Sequence, residues 1–143
     1  MKLQIVTFAF ILTASVFSQQ ALADCKECAS LSDSAKHLDT KKELTEQTTT
    51  AQESYNLLEK LSKTYGGKSK VKFEKEAVKP ALSLILKLLK IDASQYAIEA
   101  AYPMYKTNKA IFEDGISSLP KDQRDEMHSD IETYENVLKN GNG

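Results

Sequence analysis

The chain has 143 residues, of which 41% are hydrophobic and 27% charged, with two cysteines and a formal net charge of −1. A chain of this size makes one domain and buries a core without needing cross-links or metals. The near-neutral total excludes a nucleic-acid-binding composition, and no stretch is apolar for the roughly 20 residues that a membrane-spanning helix needs.

The first element reads as an export signal. Lys2 is followed by an apolar run, Ile5 to Phe17, and then by Ala21 and Ala23 in the A-x-A spacing that signal peptidases cleave. Cleavage is predicted after Ala23, dividing the chain into a signal peptide, 1–23, and a single helical-bundle domain, 24–143. The expected location is periplasmic or secreted, where paired thiols tend to be disulfides. A bacterial lipoprotein needs a small residue directly before the cysteine. Asp24 stands there, so no lipid anchor is expected.

Charge is unevenly spread along the rest. Residues 24–62 carry five lysines against eight acids, 63–91 eight lysines against two, and 92–143 five basic residues against ten. A basic middle between acidic flanks is what packed helices of opposite charge would show.

The elements then follow in order, all of them helical. Asp24-Cys25-Lys26-Glu27 fits a capping box, and Cys28, Leu31, Ala35 and Leu38 form an apolar stripe. The stripe lapses at Lys41 and Lys42, where Thr40 to Glu43 offers a second capping signal, and resumes at Leu44, Thr48, Ala51, Tyr55, Leu58 and Leu61. This spacing predicts a short helix over 25–38 and a longer one over 41–64. Gly66-Gly67, Gly115 and Gly141 stand where helices could end. Residues 70–79 are highly charged, with Phe73, Ala77 and Val78 as apolar contacts. Pro80 suits a first helical turn, and the helix it opens, 80–91, is apolar almost all round except for Lys79, Ser83, Lys87 and Lys90. Asp92 or Ser94 would cap a helix over 93–113, kinked at Pro103. Ser117 to Pro120 restarts the chain. A last, outer helix over 119–140 carries one narrow stripe of Met127, Ile131, Tyr134 and Leu138. Strand signals are missing. The predicted fold is all-α, an antiparallel bundle of about four main helices with the first segment split into two. Helices 80–91 and 93–113, joined by almost no loop, would be antiparallel neighbours.

Chemistry centres first on Cys25 and Cys28. Covalent haem needs C-x-x-C-H, and Ala29 stands in the histidine place. A structural zinc needs about four ligands, and only His37 and the distant His128 could join the pair. No metal and no cofactor are expected. A di-iron bundle would want two Glu-x-x-His pairs, and the chain has only Asp125-Glu126-Met127-His128 with no second copy, so none is expected either. A thiol–disulfide redox role is the sharper alternative, but reactive C-x-x-C pairs usually follow a strand in a sheet, and this chain has none. A local disulfide that stops the N-terminus fraying is the plainer reading. Hydrolytic motifs are lacking, and the chain is read as no enzyme.

Two surfaces remain. Lys68, Lys70, Lys72, Lys75, Lys79, Lys87 and Lys90 make a basic segment that resembles a membrane-surface helix in composition. Its apolar face is too wide to leave the core, so membrane contact is not expected. Tyr96, Tyr102 and Tyr105 with Pro103 could border a groove, since a kink splays side chains and tyrosine is enriched at interfaces. The functional expectation is an exported, non-enzymatic binding protein, of inhibitor, immunity-like, accessory or holdase type. Its partner would be another exported protein.

Overall fold

A computed structural model describes residues 25–141. The predicted signal peptide and Asp24 lie outside the described residues. Among those described, there are six α-helices and no strand: α1 (Cys28–His37), α2 (Thr48–Tyr65), α3 (Lys75–Ile91), α4 (Tyr96–Thr107), α5 (Lys109–Ser117) and α6 (Lys121–Asn140). A single 3-10 turn, Leu44–Glu46, precedes α2. The all-α class and the split of the first segment are therefore as predicted. The helix count is not.

The boundaries depart from the sequence pattern for identifiable reasons. Asp24, the first member of the predicted capping box, lies outside the described residues, and Glu27, at the N-cap of α1, makes no side-chain cap. Its carboxylate instead accepts from the Tyr65 hydroxyl, and α1 begins only at Cys28. The signal at Thr40 to Glu43 does not start α2 either. There Gln47 takes over the backbone, accepting from Asp39 N–H and donating to the carbonyls of Asp39 and Lys42. That web holds residues 39–47 as a loop, so α2 starts at Thr48. Helix α3 begins five residues before Pro80 and runs through it.

The longest predicted helix is two. Pro103 sits inside α4, and the break comes at Asn108. The Asn108 side chain donates to the carbonyls of Tyr65 and Met104 and accepts from the Phe73 amide. A polar side chain that serves two other segments stops the helix more firmly than the proline does. Gly115 does not end a helix but lies within α5. A Cβ there would stand 2.6 Å from Val78 Cγ1, so its role is to let α5 press against α3.

The core has two seams. Helix α4 packs chiefly along α2, and α1 chiefly along α3. The bonds across the first seam advance in step: Tyr55 to Asp92, Glu59 to Tyr96, Ser62 to Ala100, Tyr65 to Asn108. Helices α2 and α4 therefore run parallel. In the second, Glu27 neighbours Glu74 at the helix starts, while Lys87 Nζ donates to the Ala35 and Leu38 carbonyls at the end of α1. These two helices also run parallel. Helices α3 and α4, expected as neighbours, do touch, but the main partner of each is two apart in sequence. Leu31, Leu58, Leu84, Leu88, Met104 and Phe112 are fully buried between the seams. Outer helix α6 buries only Met127 and Ile131, leaves Tyr134 half-buried and exposes Leu138.

Candidate interaction groove

The parallel α2–α4 seam leaves an open concavity beside Tyr96. A groove of about 430 Å³ lies along it, lined by Glu59, Ser62, Lys63, Gly66, Gly67, Tyr96, Glu99, Ala100 and Pro103. Its end is shaped by Gly66, where an added Cβ would meet the Ser62 carbonyl at 2.5 Å and the Pro103 backbone at 2.7 Å. Only a glycine lets the end of α2 come so close to α4. The next residue, Gly67, turns the chain with φ of 63°, in the left-handed region that favours glycine. A second groove of about 320 Å³ adjoins through Tyr96 and is lined by Leu44, Thr48, Tyr55, Asp92 and Ser94, among others.

Tyr96 forms the divide. Its ring meets Tyr55 edge-on with centroids 4.9 Å apart, a favourable aromatic geometry. Its hydroxyl donates to Glu59, and that bond pushes the phenol pKa upward. Tyr55 donates to Asp92 at 2.5 Å. Burial, and then this bond, raise the Tyr55 phenol far above its ordinary value. Burial would raise Asp92 too, but the Tyr55 hydroxyl and the Ser94 amide outweigh it and hold the carboxyl below its usual range. Asp92 is thus held as an anion beside Tyr55.

The four residues singled out from sequence do not form one patch. Tyr96 and Pro103 line the groove. Tyr102 and Tyr105 face the other way, toward α5 and α6. The Tyr102 ring lies 5.1 Å from Tyr134, and its hydroxyl donates to Glu135. Tyr105 is buried and donates to Glu113, whose other oxygen contacts His128 at 3.0 Å. Burial pushes the Tyr105 phenol up, while Tyr105 and His128 together bring Glu113 below the ordinary carboxylate value. Helical phase explains the division, since residues 96 and 103 lie two turns apart on one face of α4 while 102 and 105 lie on another. Glu59, Glu99 and Gly66 were missed as groove residues. The signal that could have found Gly66 is its place directly after the last apolar residue of α2.

The basic segment is also dispersed. Lys68, Lys70 and Lys72 are exposed in the loop before α3, and Lys75 pairs with Asp114 at 3.7 Å. Lys79 is exposed. Lys87 is half-buried and spends its ammonium on the end of α1, a favourable place for a cation. Lys90 joins Lys41 and Lys42 around a separate hollow at the far end of α3. The apolar face of α3 is buried, and no described helix is long and apolar enough to cross a membrane.

Cys25 and Cys28 are joined in a disulfide with Cα atoms 5.4 Å apart, and both are buried. Neither histidine joins them: His37 contacts the Asp33 carbonyl, and His128 contacts Glu113. No known protein family matches the chain, and no curated protein or solved structure matches it either.

Proposed function

We propose that this chain is an exported, non-enzymatic helical protein that acts by binding another exported protein through the groove between α2 and α4. The observation that carries the reading is the groove itself, which combines an apolar floor of Ala100 and Pro103 with the phenol of Tyr96 and the carboxylates of Glu59 and Glu99. Two carboxylates against the single Lys63 make its lining anionic. The occupant that fits is a partner loop presenting a lysine or arginine beside an apolar residue, with the cation at Glu59 and Glu99. Export rests on the A-x-A pattern ending at Ala23 and on the disulfide that an oxidising compartment would favour. A redox role for Cys25 and Cys28 gains no support from two buried sulfurs, because exchange needs an accessible thiolate.

A photo-crosslinking residue placed at Lys63, in the groove, and at Lys139, on α6, tests the reading in the native exported fraction. An adduct formed from position 63 alone, and lost when Glu59 and Glu99 are replaced by lysine, is the expected result. Equal adducts from both positions, or insensitivity to the charge reversal, would sink it.

A further inference from the structure

The starts of α1 and α3 meet at a corner, and each helix is preceded there by a glutamate, Glu27 and Glu74. An oxygen of the Glu27 carboxylate, one of the Glu74 carboxylate and Cys25 Sγ all lie within 4.8 Å of one another. Glu27 is only 9% exposed. Its Oε1 accepts from Tyr65, and its Oε2 is buried with no hydrogen-bond partner. Neither glutamate caps its own helix with its side chain. Among the described residues, no lysine, arginine or histidine forms an ion pair with either one.

Two carboxylates this close repel each other when ionised, and a buried carboxylate oxygen with no partner is costly. Neither helix start supplies Oε2 with a donor. What the corner lacks is positive charge.

We propose that Glu27 and Glu74 together hold a hard divalent cation of the Ca2+ class between the starts of α1 and α3. The donors decide the class. Cys25 is in a disulfide and offers no thiolate, so the ligands are carboxylate oxygens, which suit Ca2+ rather than Zn2+. Glu74 is half-buried, which leaves the solvent side open for water to complete the coordination. Tyr65 is a positioning residue: its hydroxyl holds Oε1 and turns Oε2 to the ion. With two protein carboxylates, affinity falls in the weak range of extracellular modules, about 10⁻⁴–10⁻³ M. The ion would tie α1 to α3 at the end opposite Lys87.

Terbium, which replaces Ca2+ at oxygen sites and emits when a nearby tyrosine is excited, reads the site directly. The chain has no tryptophan, so any sensitised emission comes from tyrosine. The expected result is saturable emission from the chelator-stripped protein, displaced by Ca2+. Affinity should fall roughly tenfold or more in Glu74→Gln, with Glu53→Gln as an unaffected control. Tyr65→Phe should dim the emission per bound ion. Glu74→Gln removes charge without removing a described hydrogen bond, so it decides the matter even where Glu27→Gln fails to fold. No Ca2+-displaceable emission up to about 10 mM, tenfold above the expected range, overturns the proposal. So does emission unchanged in Glu74→Gln. A thermal stability that ignores metal but depends on whether the chain begins at Asp24 would assign the missing charge to an α-ammonium, and also overturns it.

Discussion

The two parallel seams are built from different chemistry. Along α2 and α4, hydrogen bonds recur at every turn: Tyr55 to Asp92, Tyr96 to Glu59, Ser62 to the Ala100 carbonyl, Asn108 to the Tyr65 carbonyl. Between α1 and α3 the polar contacts sit only at the two ends, with Glu27 and Glu74 at one and Lys87 at the other. Here α1 contributes Leu31 and Ala35 to the core, and α3 contributes Leu84 and Leu88. Apolar contact is non-directional and stabilises many registers, whereas paired donors and acceptors accept one. The polar seam therefore sets the register that shapes the groove, while the apolar seam rests on non-directional burial along its length.

Substitutions that separate these roles should differ in both size and kind. The largest loss is expected in the apolar seam. Leu31 is fully buried, and Leu31→Ala should cost about 2–5 kcal/mol in denaturant unfolding, with the groove unchanged in crystals of the variant. Asn108→Leu comes next, at about 2–3 kcal/mol. It strands the Phe73 amide and the Tyr65 carbonyl, and α4 and α5 should move toward one continuous helix, visible as added amide protection near residue 108. Gly66→Ala should cost about 1–3 kcal/mol, because the new methyl meets backbone rather than a yielding side chain. It should also weaken crosslinking from position 63.

The smallest effect is a pH dependence in the polar seam. Asp92 has a depressed folded-state pKa, so its bond to Tyr55 contributes stability above the ordinary value of 3.8 and loses it as pH falls through the folded value. Tyr55→Phe should therefore lie below the parent in stability at neutral pH and converge with it in acid. At the other extreme Tyr65 is raised from 10.0 to about 12. Its contribution is whole below pH 10 and fades as pH rises toward 12. Alkaline titration followed by circular dichroism should show unfolding in that window. A gap between Tyr55→Phe and parent that stays constant in acid would separate Asp92 from the pair.

Much of this was legible before any coordinates, and the misses share a cause. The stripe of Cys28, Leu31, Ala35 and Leu38 is buried as read, and so are Ala51, Tyr55, Leu58 and Leu61. Of the polar line on α3, Lys79, Ser83 and Lys90 are exposed as read, whereas Lys87 is half-buried against the end of α1. The departures fall on polar residues whose partners local patterning does not show: Glu27 binds Tyr65, Gln47 binds the backbone of Asp39 and Lys42, and Asn108 binds Tyr65 and Phe73. Pro103 was weighted for its local effect, but one missing amide disturbs a helix less than an asparagine drawn to three partners. The candidate site was half legible, because Tyr96 and Pro103 share a helical face with Glu99, whereas Glu59 and Gly66 come from the opposing helix.

By itself the sequence determined what depends on near neighbours. Helical class, the breaks around Gly66-Gly67 and Pro120, and the inward face of each helix follow from a period of 3.6 and from the absence of strand alternation. Tertiary structure decided which helices lie side by side and in which direction, where α4 stops, and why Gly115 must be small. It also brought Glu27 to Glu74 and Glu59 to Tyr96. Such pairings depend on residues tens of positions apart. Short-range periodicity carries no information about which of several apolar faces will meet, and only the packed core selects among them.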